Sequence, residues 1–239
     1  MAEIKKKVSV CITTCNGELY ILEQLKSILL QLDEKDEIIL SDDSSIDKTI
    51  DLVKSLNDRR IKIFFNNFKH HTPNFEFTLT KASGDYIFLS DQDDVWLPNK
   101  ISTMVSYLQR FNLVVSDCII VNDKLETINS SIRLSSNPNG FITNIIHNNF
   151  LGCCMAFDRS IIEIAVPFPS GILSHESWLG AVAGIFGRTI FIDDKLILYR
   201  RHNFNNSNTL NGSNLSFLNK LKYRFFIIFN ILLRKIKFL

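Results

Sequence analysis

Short apolar runs that read as strands alternate with segments whose apolar residues recur every three or four positions. This alternation confines the first half of the chain to a parallel sheet with crossover helices. Val8 to Thr13 reads as a buried strand, and Asn16 reads as the cap of a helix whose apolar face is Leu22, Leu25, Leu29 and Leu32. Glu37 to Leu40, Ile61 to Phe65 and Tyr86 to Ser90 supply further strands, separated by helices over Asp47 to Leu56 and Asn74 to Lys81. The pattern then predicts a helix from Leu97 to Phe111 with Pro98 in its first turn, and a strand from Leu113 to Val121. It continues with a strand from Phe150 to Phe157, a helix from His175 to Phe186, and short strands at Thr189 to Ile192 and Lys195 to Tyr199. Two polar stretches, Asn122 to Gly140 and Asn203 to Asn214, read as loops. No linker divides this body, so the expected class is α/β, with a mostly parallel central sheet flanked by helices.

Charge is distributed unevenly. The 239 residues carry 27 Lys and Arg against 25 Asp and Glu, but six of the basic residues and none of the acidic ones lie from Phe217 onward. The body is therefore mildly acidic, which excludes nucleic acid as its partner, since polyanion binding needs a clustered basic face. In the tail, Leu218, Leu221, Phe225, Ile228, Leu232 and Ile236 recur at helical spacing between basic residues. This is the pattern of a basic amphipathic helix over 217–239 lying on an anionic membrane surface, the competing arrangement being a helix packed on the body or on a second subunit. The apolar stretch Phe225 to Leu233 is far short of the roughly 20 residues that span a bilayer. Five cysteines, three in apolar runs, and the absence of a signal-type apolar core fit a cytoplasmic protein, peripheral at the inner face of the cell membrane.

The chemistry concentrates at strand carboxyl ends, where open α/β sheets bind their ligands. Asp42 and Asp43 follow one strand; Asp91, Gln92, Asp93 and Asp94 follow another. Three carboxylates in four residues repel one another unless water, a cation or hydrogen-bond donors compensate. Asp91 and Asp93, two apart on an extended turn, can aim oxygens at one point, a donor set suited to Mg²⁺ or Mn²⁺. Taken singly, each cluster also fits a helix cap, with Asp94 as the capping residue of the second. Trp96 and Trp178 read as core or groove walls, and His70 and His71 as exposed loop residues.

Three runs taken together, VSVCITTCNG (8–17), SDDSSIDKT (41–49) and GDYIFLSDQDDVWLP (84–98), resemble the nucleotide-sugar glycosyltransferases of family 2. With the later HESW (175–178) and LYRRH (198–202), the chain is most similar to bacterial rhamnosyltransferase-type enzymes of surface-polysaccharide synthesis, over residues 8 to about 205. The resemblance implies a single Rossmann-like GT-A domain over 1–216, its nucleotide-binding part at 1–96 and its acceptor-binding part at 97–216. By the same resemblance Thr13, Cys15 and Asn16 form the nucleoside loop, with Cys15 where many members carry an aromatic residue. Asp43 meets the pyrimidine, Asp91 and Asp93 are the DxD pair, and Arg200 and Arg201 assist at the donor phosphates. Asp93, Asp91 and His202 hold a divalent cation. Glu176 stands at the catalytic-base position, in a place where many relatives have Asp. The implied reaction is inverting transfer from a nucleotide-diphosphate sugar, with dTDP-rhamnose as the suggested donor, to a hydroxyl of a glycan acceptor that is lipid-linked. Acceptor choice is expected from 122–140 and 167–173. The competing functions are a nucleotidyltransferase, which would want a Gly-rich basic loop where this chain offers only Gly17, and a catalytically silent glycan- or lipid-binding module on the membrane.

Overall fold

The computed structural model of the chain describes residues 6–131, 150–202 and 216–237. Its first half runs β1 (Val8–Thr14), α1 (Ile21–Leu29), β2 (Glu37–Asp43), α2 (Thr49–Ser55), β3 (Ile61–Asn66), α3 (His71–Lys81) and β4 (Tyr86–Ser90). The second half runs β5 (Val95–Trp96), α4 (Lys100–Leu108), β6 (Leu113–Val121) and β7 (Thr127–Asn129), then a single 3₁₀ turn at Gly152–Cys154 and β8 (Met155–Asp158). It ends with α5 (Arg159–Ala165), α6 (His175–Phe186), β9 (Thr189–Arg200) and α7 (Phe217–Lys237). Among the described residues the strands form one sheet in the order β3-β2-β1-β4-β8-β6-β9-β5, with β7 paired to β6. The pairings of β1 to β4 among themselves and of β6 with β9 are parallel, whereas β8 and β5 run against their neighbours. The expected α/β class with a mostly parallel sheet is the architecture found.

The inner strands are apolar on both faces because helices cover both sides. Successive residues Val10, Cys11 and Ile12 of β1, Ile38, Ile39 and Leu40 of β2, and Phe88 and Leu89 of β4 are all buried, as parallel sheets require. The register aligns the strand ends that matter: Thr14 lies opposite Asp42, and Ile12 opposite Ser90. The loops after β1, β2 and β4 therefore leave the sheet along one rim.

Several local expectations are corrected. Asn16 does not cap α1, whose preceding residue is Tyr20; the buried face of that helix is Ile21, Gln24, Leu25 and Ile28, so that of the expected stripe Leu25 and Leu32 are buried while Leu22 and Leu29 are half-buried. Gln24 occupies the face because its side-chain amide donates to Ser90 Oγ across the core. Ser41, Asp42 and Asp43 complete β2 instead of turning. Asp94 caps no helix, since α4 begins only at Lys100, past Pro98, and Val95 and Trp96 form a two-residue strand on β9. Cys153 and Cys154 sit on the 3₁₀ turn, not on a strand. The two short strands expected near the end are one strand, β9, with irregular register against β6. The remainder of the 122–140 loop beyond residue 131, and the 203–214 loop, lie outside the described residues.

Helix α7 has two apolar faces. Ile227 and Ile231 are 6% and 3% exposed, and with Tyr223 and Phe226 they pack against the body. Leu218, Leu221, Phe225, Ile228, Leu232 and Ile236, the stripe read from the sequence, lie on the exposed side. No helix among the described residues is long and apolar enough to cross a membrane.

Candidate active site

The rim is built from the first two loops outward. Asp42 is buried and accepts hydrogen bonds from Thr14 Oγ1 at 2.9 Å, from the Ser45 amide at 2.9 Å and from Ser45 Oγ at 2.5 Å. Asn16, in the left-handed region with φ of 51°, accepts the Ile46 amide through its side-chain oxygen at 2.9 Å and donates its own amide to Ser45 Oγ at 2.8 Å. The Gly17 amide donates to Thr49 Oγ1 at 2.7 Å, the Glu18 amide donates to Asp47 Oδ2 at 3.0 Å, and Glu18 Oε2 accepts the Lys48 amide at 3.0 Å. The run 41–49 is thus a scaffold that fixes the loop after β1.

Asp43 points to a different partner. Its Oδ1 accepts the amides of Phe68 at 2.6 Å and Lys69 at 3.1 Å, which ties the end of β2 to the loop after β3. Thr13 is half-buried and paired with Ser41; Cys15 is exposed, its thiol pushed up by desolvation and then by the charges of Asp43, Asp42 and Asp47. Gln92, which has no assigned role within its acidic run, joins these loops to the acidic one. Gln92 Oε1 accepts the Cys15 amide at 2.9 Å and its Nε2 donates to the Cys15 carbonyl at 3.2 Å. A Cβ at Gly17 would stand 2.5 Å from Gln92 Oε1, so glycine is what permits this approach.

The acidic loop is held from behind by Arg200, which is 3% exposed and therefore not a surface charge. Its amide donates to Asp94 Oδ1 at 3.0 Å, its Nε to the Asp93 carbonyl at 2.8 Å and its Nη1 to the Asp123 carbonyl at 2.7 Å, while Nη2 pairs with Glu23. The guanidinium lies 4.7 Å from the centre of the Tyr20 ring, and Tyr20 donates to Asp123 Oδ1 at 2.7 Å. Tyr20 also stacks on His202 at 4.7 Å, and His202 Nε2 lies 2.9 Å from Asp93 Oδ2. The predicted pair of Asp93 and His202 is therefore brought together. Arg201 is half-buried over Tyr199, with its amide on the Val121 carbonyl.

Electrostatics mark the same place. The Asp91 carboxyl is pushed up to about 8, first by desolvation, then by the neighbouring charges of Asp93 and Glu176. Asp94 is raised well above the usual carboxylate range by desolvation and then by Asp93 and Asp91, and its buried Oδ2 lacks a well-formed hydrogen bond. Ligand atoms of Asp91, Asp94 and Cys153 lie within 4.8 Å of one another. An orphaned buried oxygen, crowded carboxylates and the adjoining Asp93–His202 pair form a donor set that fits a divalent cation. Asp94 and Cys153 were not foreseen as members; the signal available was only their place beside Asp93 and in an apolar run.

Glu176 comes from the other half of the chain. Ser174 caps α6, its Oγ accepting the Ser177 amide at 3.1 Å, and places Glu176 in the first turn. Desolvation raises the Glu176 carboxyl. His175 is buried against Phe75, with ring centres 4.0 Å apart, and its Nδ1 lies 3.1 Å from Glu176 Oε2 without an aligned hydrogen bond. His70 and His71 are exposed as expected, His71 opening α3 and meeting His175 edge-on. Trp96 and Trp178 are core residues, the latter donating to the Ala165 carbonyl at 3.0 Å. The start of α6 and the acidic loop meet at the 3₁₀ turn: a Cβ on Gly152 would stand 3.0 Å from His175 Nε2, and Cys153 beside it has its sulfur within 4.8 Å of carboxylate oxygens of Asp91 and Asp94.

Comparison with known proteins bears on the family and the fold. The chain is 29% identical over 244 residues to a dTDP-rhamnosyl transferase, RfbG, of Shigella flexneri, covering 88% of this chain and 76% of that one. It is 28% identical over 167 residues to a UDP-Glc:alpha-D-GlcNAc-diphosphoundecaprenol beta-1,3-glucosyltransferase, WfgD, of Escherichia coli, covering 67% and 64%. It thus spans about two thirds of the length of several relatives that it matches. Among solved structures, S. aureus TarS 1-349 in complex with UDP-GlcNAc superposes with a TM-score of 0.73 at 17% identity, over 94% of this chain and 67% of that one. A mannosyltransferase, PcManGT, from Pyrobaculum calidifontis in complex with GDP-Man and Mn2+ gives a TM-score of 0.61 at 20% identity, over 81% and 56%. These likenesses establish the GT-A fold. The model of glycosyl transferase family 2 matches residues 9–164, most of the sheet and its acidic rim, and the chain belongs to that family.

Proposed function

We propose that this chain transfers a sugar, with inversion, from a nucleotide-diphosphate donor to a hydroxyl of a glycan acceptor. The observation that carries the reading is the meeting of the acidic loop after β4 with the start of α6 across the 3₁₀ turn, where Cys153 lies with Asp91 and Asp94 and Gly152 faces His175, the residue before Glu176. Asp93, Asp91 and His202 would hold Mg²⁺ or Mn²⁺, with Asp94 and Cys153 close by. A divalent cation bound there supplies charge neutralisation for the departing diphosphate.

The chain's own residues do the rest. Thr13, Cys15, Asn16 and Asp43 receive the nucleoside; one carboxylate oxygen of Asp43 is occupied by the amides of Phe68 and Lys69. Arg200 acts by holding Asp93 and Asp94 in place, its donors being engaged, and Arg201 is the member of the pair assigned to the diphosphate. Glu176 accepts the acceptor hydroxyl proton; the freed oxygen bonds to the anomeric carbon as its bond to the diphosphate breaks on the opposite face. A carboxyl raised by burial suits this work, because its proton affinity is greater than that of a solvated glutamate.

The names of the E. coli and Shigella relatives support a lipid-linked acceptor and a UDP- or dTDP-sugar donor. The exposed stripe of α7, with Lys220, Lys222, Arg224 and Lys235 around it, supports docking on an anionic bilayer, where such an acceptor resides. Screening UDP-, dTDP- and GDP-sugars for thermal stabilisation with and without Mn²⁺ tests the donor reading. Stabilisation by one nucleotide class that requires the cation is expected; none by any nucleotide sugar would overturn it.

A further inference from the structure

Helix α7 does more than present an apolar stripe outward. On its inner face, Tyr223 Oη accepts the amide of Leu173 at 3.1 Å and that of Ser174 at 3.4 Å. Ser174 is the cap of α6, and Glu176 follows two residues later. The same short segment is gripped at two further points. Thr72 Oγ1 donates to the Leu173 carbonyl at 3.2 Å, and the Phe226 ring lies 3.5 Å from the place where a Cβ would stand on Gly171, whose φ of +98° is open to glycine alone. Arg234 then reaches the carbonyls of Val166 and Pro167, upstream of the segment.

We propose that Tyr223 is a positioning residue for the reaction: by accepting the two amides that lead into α6, it fixes the point at which Glu176 emerges, and it makes the C-terminal helix part of the catalytic framework. This rests on the reading of Glu176 as the base. The physical reason lies at the end of the segment Gly171 to Ser174, in the two amides that enter α6. Its amides at 173 and 174 have Tyr223 as their described acceptor, and a helix start shifted by an ångström carries its first-turn carboxylate with it.

The test uses the full chain with Tyr223→Phe, which keeps the ring and removes only the oxygen. Tyr223→Leu serves as a second variant should the first fail to accumulate. Two quantities are read: amide hydrogen exchange over residues 171–178, and kcat and KM for release of nucleoside diphosphate from UDP-glucose and dTDP-rhamnose with water as acceptor, in Mn²⁺. Exchange at 173 and 174 at least tenfold faster, with kcat at least fivefold lower and donor KM within twofold, is the expected result. A KM rise at unchanged kcat, or unaltered exchange, overturns the inference. Glu176→Gln run alongside separates the two claims. If it is inactive while Tyr223→Phe turns over normally, the inference fails and the base reading stands. If Glu176→Gln turns over normally, the base reading fails and the positioning role for the reaction falls with it, whatever the exchange shows.

Discussion

Asp42 and Asp43 are neighbours in sequence but serve different ends. Asp42 is buried and satisfied by Thr14 and Ser45, so Asp42→Ala leaves those donors without an acceptor and should cost about 1–3 kcal/mol of stability. Asp43→Ala frees the amides of Phe68 and Lys69, which are exposed and open to water, so it should cost less, about 1 kcal/mol, and raise donor KM several-fold; urea unfolding and initial-rate kinetics on the two variants distinguish them. Asp91 gives a pH dependence of definite sign. Its folded-state value of about 8 lies above that of an unfolded aspartate, so the protonated form favours the native state. That stabilisation is complete below the unfolded value and is lost as pH rises through about 8. A cation needs the ionised form, so Mn²⁺ binding in the presence of UDP should release a proton and strengthen about tenfold per unit from pH 6 toward 8. Calorimetry in buffers of different ionisation enthalpy measures that proton, and a pH-independent affinity would contradict the assignment.

At the scale of elements, the strands and the order of their acidic ends were legible, because hydrophobic period and run length report burial directly. The positions that sequence reasoning missed depend on contacts distant in the chain. Gln24 sits on the buried face of α1 only because Ser90 meets it, and Arg200 looks like surface charge until Glu23, Asp93 and Asp123 surround it. Cys153 and Cys154 read as strand by composition, whereas the backbone turns there before β8 begins. Glu37 is a further case, at the opposite end of the sheet from the active site. It is 2% exposed and accepts from Ser9 at 2.6 Å, from the Ser83 amide and hydroxyl at 2.7 Å each and from Lys62 at 2.6 Å, with Lys7 at 3.2 Å. Burial alone would raise its carboxyl, but these bonds outweigh it and hold the group down to about 2. The stabilisation is present above the ordinary glutamate value and is lost as pH falls through about 2. Glu37→Gln should therefore cost about 2–3 kcal/mol at pH 7, and the gap to the wild type should close between pH 4.5 and 2 in denaturant titrations.

Over the whole molecule, the division of the chain into an acidic catalytic body and a basic helix becomes a division of labour. The inner face of α7 grips the segment that leads into α6, and the outer face remains apolar and flanked by lysines and arginines. Replacing Leu221, Phe225 and Leu232 together by Ser should lower partition onto phosphatidylglycerol vesicles at least tenfold without a loss of thermal stability, because these side chains are exposed. Unchanged partition would contradict docking of α7 on a bilayer. Single-turnover sugar transfer by Glu176→Gln, preloaded with Mn²⁺ and the donor identified by thermal shift, shows whether the β4 loop and α6 contribute carboxylates to one reaction site. Donor affinity within twofold of the wild type with a transfer rate reduced at least a hundredfold is the predicted result; transfer at the wild-type rate would contradict it.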